Sequence, residues 1–387
     1  MRGNMREEVK AIIQDQKSGS RVRNLLILVC MTLMLTGCNS KVSGDENVSV
    51  EQAVKTEEAQ STEEAQATEE AAVTEEVTVQ ETTPEKSVEI VVDFSSEEEN
   101  DEEEQKETGT NEGSRVVVWG DSLTEGTGGD GVTYPNVLEK LAGCEVKNYG
   151  VYAEVTTCIA GRQGGMPENV HPVTIPAQVA DVDVQIENGD GGWDMLLVFG
   201  DAGINPCTIA GVEGKLWIDS VTGQRKFTRS QAGEEVVLTE RTPIKTFAMR
   251  DKRPDDILVI FTGSNDDPTP KTVKNIIAVQ RDMIAYAGVD RYVIIGLTCK
   301  RKMPMTAEVN EVLAKEYGEH FLDVRKDLLE HGLQDSGIEP TAEDQADIAG
   351  GYIPRSLLSD DIHGNAAFYT VIGEALYQKM QEMNYLK

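Results

Sequence analysis

The sequence predicts an α/β protein: an α/β/α sandwich with about five parallel strands, carrying a small β-rich insertion and preceded by a long acidic tail. Three observations lead there. Short, almost wholly apolar runs recur from Arg115 onward, separated by stretches of helical periodicity. Strands this apolar need cover on both faces, which is the situation of a parallel sheet between helix layers. Between the second and third of these runs the rhythm breaks, and alternation of period two with turn residues takes over.

The chain has 387 residues, is 39% hydrophobic and carries a formal net charge of −32. That charge is unevenly spread: about +3 over residues 1–38, about −20 over 39–113 and about −15 over 114–387. A surface this acidic does not hold nucleic acid or anionic lipid by charge attraction.

Residues 1–37 read as an export signal. Arg21 and Arg23 precede the apolar run LLILVCMTLML, Leu25–Leu35, which is short for a membrane span and suits a signal core. It ends in Leu35-Thr36-Gly37-Cys38. That tetrapeptide resembles the bacterial lipobox, and the resemblance implies cleavage before Cys38, lipidation of its thiol and a membrane anchor on the extracytoplasmic face. Residues 38–113 form an acidic linker, with repeated TEEAQ-like units and the run EEENDEEEQKE. Apolar content there is too low to offset the entropy of ordering, so the linker is expected to be disordered. A flexible coil of about 75 residues reaches roughly 45–50 Å. The third segment, 114–387, is the folded domain.

Within that domain RVVVWG (115–120) is the first buried strand. TYPNVLEKLAG (133–143) is a helix with Thr133 as N-cap and Gly143 as its stop. EVKNYG (145–150) is the second strand, DDILVIFTG (255–263) the third, RYVIIGL (291–297) the fourth and HFLDVR (320–325) a short fifth. Helices are predicted at 272–288, from Val273, Ile276, Ile277, Met283 and Ile284 near helical spacing, and at 365–383. The β-rich insertion is placed at about 173–250. Its Trp193 and Trp217 read either as packing in a thin core or as a platform for a sugar.

In an open parallel sheet, ligands bind beyond the carboxyl ends of the strands. The first three strands end in Gly120-Asp121-Ser122-Leu123, Asn148-Tyr149-Gly150 and Gly263-Ser264-Asn265-Asp266, and Asp360-Asp361-Ile362-His363 precedes the last helix. These four blocks, in this order, resemble those of the SGNH (GDSL) hydrolases. Taken singly, Ser122 reads as a helix cap, Gly150 and Asn265 as turn residues and His363 as packing on the last helix. Their joint occurrence at one predicted sheet edge overrides those readings.

The resemblance implies a flavodoxin-like fold and a serine esterase working through an acyl-enzyme. A serine hydroxyl is a weak nucleophile and must pass its proton to a base. By the resemblance Ser122 is the nucleophile and His363 the base, imidazole being the side chain suited to proton transfer near neutral pH. Asp360, three residues before it, orients the ring, with Asp361 as the competing carboxylate. The oxyanion would be held by the Ser122 N–H, the Gly150 N–H and the Asn265 amide. No metal or organic cofactor is implied, and the four histidines stand at no zinc-motif spacing to a cysteine.

Two residues depart from the family pattern or border it. After Gly150 the family often continues with small residues, whereas here Tyr152 is bulky and is expected to narrow the pocket. Ala160–Gly165 reads as a flexible polar loop in which Arg162 meets a substrate carboxylate or sugar hydroxyl, or else forms a surface salt bridge. An exported, tethered enzyme suits an acylated extracellular glycan, such as an O-acetylated polysaccharide. A lipase-like esterase and a non-catalytic glycan-binding lipoprotein are the alternatives. Cys144, Cys158, Cys207 and Cys299 read as free or buried thiols.

Overall fold

A computed structural model describes residues 113–187, 196–298 and 305–386. The export signal, Cys38, the acidic linker, Trp193 and Cys299 lie outside the described residues. Among those residues, no helix is long and apolar enough to cross a membrane.

The domain is built on a five-stranded parallel sheet. Its strands are β1 (Arg115–Gly120), β2 (Glu145–Gly150), β3 (Ile257–Phe261), β4 (Tyr292–Ile295) and β5 (Phe321–Leu322), in the spatial order β2-β1-β3-β4-β5. Every residue of β1 and β3 is buried, which accounts for the unbroken apolar runs RVVVWG and ILVIF. Each fully buried Val, Ile or Phe contributes roughly 1.5–3 kcal/mol over an exposed one. Arg115, the one charged residue in these two strands, is held by Asp256 through Nε–Oδ1 at 2.7 Å and Nη2–Oδ2 at 2.8 Å, and by Asp251. The chain reverses its winding direction between β1 and β3, so the crevice beyond their carboxyl ends is the topological switch point.

The helices flank this sheet. A single turn, α1 (Ser122–Glu125), comes directly after β1, and α2 (Tyr134–Ala142) runs from the Thr133 cap to Gly143 at φ +60°. Two helices, α3 (Thr156–Gln163) and α4 (Val273–Ala287), pack against each other. After β4 come α5 (Thr306–Tyr317) and α6 (Val324–Glu330), and α7 (Ala366–Glu382) closes the domain against α2. The loop expected at Ala160–Gly165 is therefore mostly helix: α3 ends at Gln163, and every one of its residues but Thr157 is buried. Its sequence TTCIAGRQ has weak helix propensity, and burial with long-range bonds overrides that propensity.

The insertion runs from Asn169 to Lys245 and is antiparallel throughout. Its longest ladder pairs Val212–Ile218 with Arg225–Arg229. It has a hydrophobic core of its own, in which Val170, Ile175, Ile204, Ile209, Leu216 and Phe227 are almost wholly buried. Trp217 is only half-buried on the outer face of that ladder, and its indole N–H donates to Thr228 Oγ1 at 2.9 Å. Cys144, Cys158 and Cys207 are free and buried.

Candidate active site

Four chain segments meet at the switch point. β1 delivers Ser122 one residue beyond Asp121, whose carboxylate caps α1 by accepting the Leu123 N–H at 3.0 Å. Asp121 is thus the cap, and Ser122 is the first helical residue, where a backbone N–H has no intrahelical acceptor. The turn sits close to the sheet because two glycines let it. A Cβ on Gly120 would lie 1.9 Å from Thr124 Oγ1, and one on Gly150 would lie 2.1 Å from the Glu125 nitrogen.

Ser122 Oγ lies 3.0 Å from His363 Nε2, although 241 residues separate them in the chain. His363 Nδ1 lies 2.7 Å from Asp360 Oδ2. A carboxylate only accepts, so Nδ1 carries the proton and Nε2 is left to accept from the serine hydroxyl. Asp360 Oδ1 also accepts the backbone N–H groups of Ile362 and His363, each at 2.7 Å. Burial pushes the Asp360 carboxyl up, but the bonds from the His363 ring and the two N–H groups outweigh it and hold the group below its usual range. The ring bonds Asp360 and not Asp361, which settles which of the two adjacent carboxylates is on the histidine. The turn is itself fastened, since the Ser359 N–H donates to the His363 carbonyl at 2.9 Å and Asn365 caps α7 immediately after it. Ser122 and His363 are only 5% and 6% exposed, so the nucleophile works in a largely desolvated crevice.

The expected oxyanion donors divide. Asn265 reaches the site from the end of β3, with its Nδ2 donating to the Glu154 carbonyl at 2.9 Å and making a long 3.4 Å contact with Asp121 Oδ2. The Gly150 N–H donates to Asn148 Oδ1 at 2.9 Å. The Asn148 amide in turn donates to the Thr124 carbonyl at 2.9 Å, so Asn148 and Gly150 together pin α1 to β2. The loop beyond them turns at Ala153, φ +59°.

Arg162 is neither a substrate contact nor a surface ion pair, the two roles its sequence suggests. It is fully buried and meets neither solvent nor the crevice. Its Nε and Nη2 grip Glu154 at 2.9 and 2.6 Å, and Nη1 donates to the Tyr149 carbonyl at 3.1 Å and the Ala202 carbonyl at 2.8 Å. The guanidinium also lies 5.3 Å from the Trp119 ring centroid. Arg162 therefore ties the loop after β2 to a segment of the insertion. Tyr152 does border the site, for its ring stacks on His363 with centroids 5.9 Å apart at 29°.

Sequence reasoning missed Glu154, Asp266 and Phe199. Glu154 is the buried counter-ion of Arg162, eight residues away. Asp266 accepts the Thr156 N–H and hydroxyl at 3.0 and 2.9 Å, capping α3 from the loop after β3, and burial pushes its carboxyl up to about 6. The adjacency of Asp266 to Asn265 was the available signal. Phe199 has no such local signal, since it comes from the insertion and meets Tyr152 edge-on at 6.4 Å. Among the described residues, no group of His, Cys, Asp or Glu is placed to hold a metal ion.

No protein-family model matches the chain, and no curated protein does. Among solved structures it is similar to a lipolytic protein of the G-D-S-L family from Desulfitobacterium hafniense DCB-2, at 14% identity and a TM-score of 0.37, over 69% of this chain and 99% of that one. It is also similar to a gut microbial diltiazem-metabolizing enzyme, at 11% identity and a TM-score of 0.36, over 70% of this chain and 47% of that one.

Proposed function

We propose that this protein is a serine esterase of the SGNH type. The observation that carries the reading is the continuous relay Ser122–His363–Asp360, with contacts of 3.0 and 2.7 Å, at the switch point of a parallel sheet. As Ser122 Oγ attacks an ester carbonyl, His363 Nε2 takes its proton, and Asp360 stabilises the imidazolium through Nδ1–H. The tetrahedral oxygen is held by the Ser122 N–H and by the Asn265 amide, which exchanges its long 3.4 Å contact with Asp121 for the oxyanion as the whole amide rotates. His363 then protonates the leaving alcohol oxygen, and the acyl group stays on Ser122. Water, deprotonated by His363, attacks the acyl-enzyme and releases the acid.

A short acyl group such as acetyl goes with a glycan substrate, the reading that the tether and the insertion favour. Signal-like residues 1–37, the lipobox-like Cys38 and the acidic linker support an enzyme anchored by lipid on the extracytoplasmic face and acting on esters of extracellular glycans. The test is hydrolysis of p-nitrophenyl acetate, butyrate and octanoate by the full chain beside Ser122→Ala, with fluorophosphonate labelling in parallel. Activity that falls with acyl length, vanishes in the variant and is matched by labelling at Ser122 is the expected result. No labelling and no activity above the variant would sink the reading in favour of a glycan-binding protein.

A further inference from the structure

The amide proposed to hold the oxyanion is itself held by the loop after β2. Asn265 Nδ2 donates to the Glu154 carbonyl at 2.9 Å, whereas its contact with Asp121 Oδ2, at 3.4 Å, is too long to fix the nitrogen. Asp266, the next residue, accepts the Thr156 N–H and hydroxyl at 3.0 and 2.9 Å. Asn265 and Asp266 are therefore seated on residues 154–156. The Glu154 carbonyl sets the position from which the amide turns to the oxyanion.

That loop has an unfavourable shape. Ala153 has φ +59°, a left-handed conformation that costs free energy for a residue with a Cβ. What holds the loop is the pair Glu154–Arg162. The Glu154 carboxylate accepts from Nε at 2.9 Å and from Nη2 at 2.6 Å, a fork that fixes orientation as well as distance. Arg162 is anchored at three further points. Its Nη1 donates to the Tyr149 and Ala202 carbonyls at 3.1 and 2.8 Å, and its own carbonyl accepts from the Thr246 hydroxyl at 2.9 Å. These partners lie in β2, in the insertion and at the insertion's end.

Stability is a poor account of this pair. Two charges taken out of water gain little over well-packed apolar side chains of the same volume, so the pair is better explained by the geometry it imposes. Both side chains are almost wholly buried, and neither is placed to meet a substrate. We infer that Arg162 is a positioning residue of the oxyanion site: by clamping Glu154 it sets the carbonyl against which the Asn265 amide is aligned. This rests on the serine-esterase reading and deepens it. Arg162 then acts on the transition state only through Asn265, and weakening its grip slows kcat while leaving KM nearly unchanged.

The experiment is a double-mutant cycle on p-nitrophenyl acetate with the full chain, Arg162→Lys, Asn265→Ala and the double variant, with Ser122→Ala as background. Lysine keeps the buried charge and loses the fork. Urea unfolding first establishes that each variant is folded under the assay conditions. Arg162→Lys should lower kcat about ten- to a hundredfold, with KM within about twofold of wild type. In the Asn265→Ala background the same substitution should change kcat less than about twofold, because the amide it positions is already gone. A merely structural role lowers kcat alike in both backgrounds, and that result overturns the inference. So does a kcat equal to wild type in folded Arg162→Lys, or a change confined to KM. Should Arg162→Lys not fold, Glu154→Gln, which breaks the fork from the other side, takes its place in the cycle with the same expected and overturning results. Should the wild type cleave no ester above the Ser122→Ala background, the esterase reading falls and takes the inference with it. Wild-type hydrolysis with an additive cycle overturns the inference alone.

Discussion

Replacing Arg162 with methionine removes a buried charge while nearly preserving volume. In the native protein the guanidinium grips Glu154 with bonds down to 2.6 Å and serves two carbonyls, all without solvent contact. Arg162→Met leaves the Glu154 carboxylate uncompensated, which costs about 3–5 kcal/mol, before the two carbonyls are counted. At roughly 2–4 °C per kcal/mol for a domain of this size, Tm should fall by roughly 6–20 °C. The loss should also depend on pH. In the native fold burial already pushes the Glu154 carboxyl up, with Arg162 pulling it down. Without Arg162 its folded pKa rises further above the unfolded value. A raised carboxyl is destabilising above its unfolded pKa, and the penalty grows as pH climbs towards the folded pKa. In acid, where the group is protonated in both states, the penalty disappears. The deficit relative to wild type should therefore be smaller at pH 5 than at pH 8, and Glu154→Gln added to Arg162→Met should recover part of it. Urea unfolding monitored by tryptophan fluorescence at both pH values measures this. A deficit below about 1 kcal/mol, or one equal at both pH values and untouched by Glu154→Gln, refutes the reasoning.

Three further outcomes are expected at the site. Asn265→Ala should lower kcat on p-nitrophenyl acetate by about 10²–10³ with little change in KM; a change confined to KM would remove Asn265 from the oxyanion hole. Gly150→Ala should destabilise the fold by at least about 1–3 kcal/mol, because its Cβ would meet the Glu125 nitrogen at 2.1 Å. Urea unfolding measures the loss, and a variant as stable as the wild type would refute the close approach of α1 to Gly150. Asp266, raised to about 6 in the fold, loses stability as pH rises from its unfolded value near 4 and bears the full penalty above 6. The stability of Asp266→Asn relative to wild type should accordingly increase between pH 4 and 7 in urea titrations, and a flat difference would contradict the burial of that carboxyl.

The alternation of strands and helices was legible because its causes are local. Unbroken apolar runs mark β1 and β3, and Thr133 and Gly143 bracket α2 through bonds that reach no further than four residues. The relay was legible because the turn Asp360–His363 is also local and the other blocks sit at strand ends. The residues by themselves determined the five apolar runs of the sheet but not their ends: HFLDVR shrinks to the strand Phe321–Leu322, with Val324 and Arg325 already in α6. The gathering of a serine, an asparagine and a histidine at one edge was read from four ordered blocks and their family resemblance. Only the tertiary structure decided that Arg162 is a buried clasp rather than a substrate contact, that the Gly150 N–H turns to Asn148, and that Phe199 comes to stand beside Tyr152. Each of these depends on contacts between segments brought together only when the sheet and the insertion close on each other. Arg162 meets Ala202 across 40 residues, and no spacing in the sequence encodes which carbonyl will be left without a donor until the chain is folded.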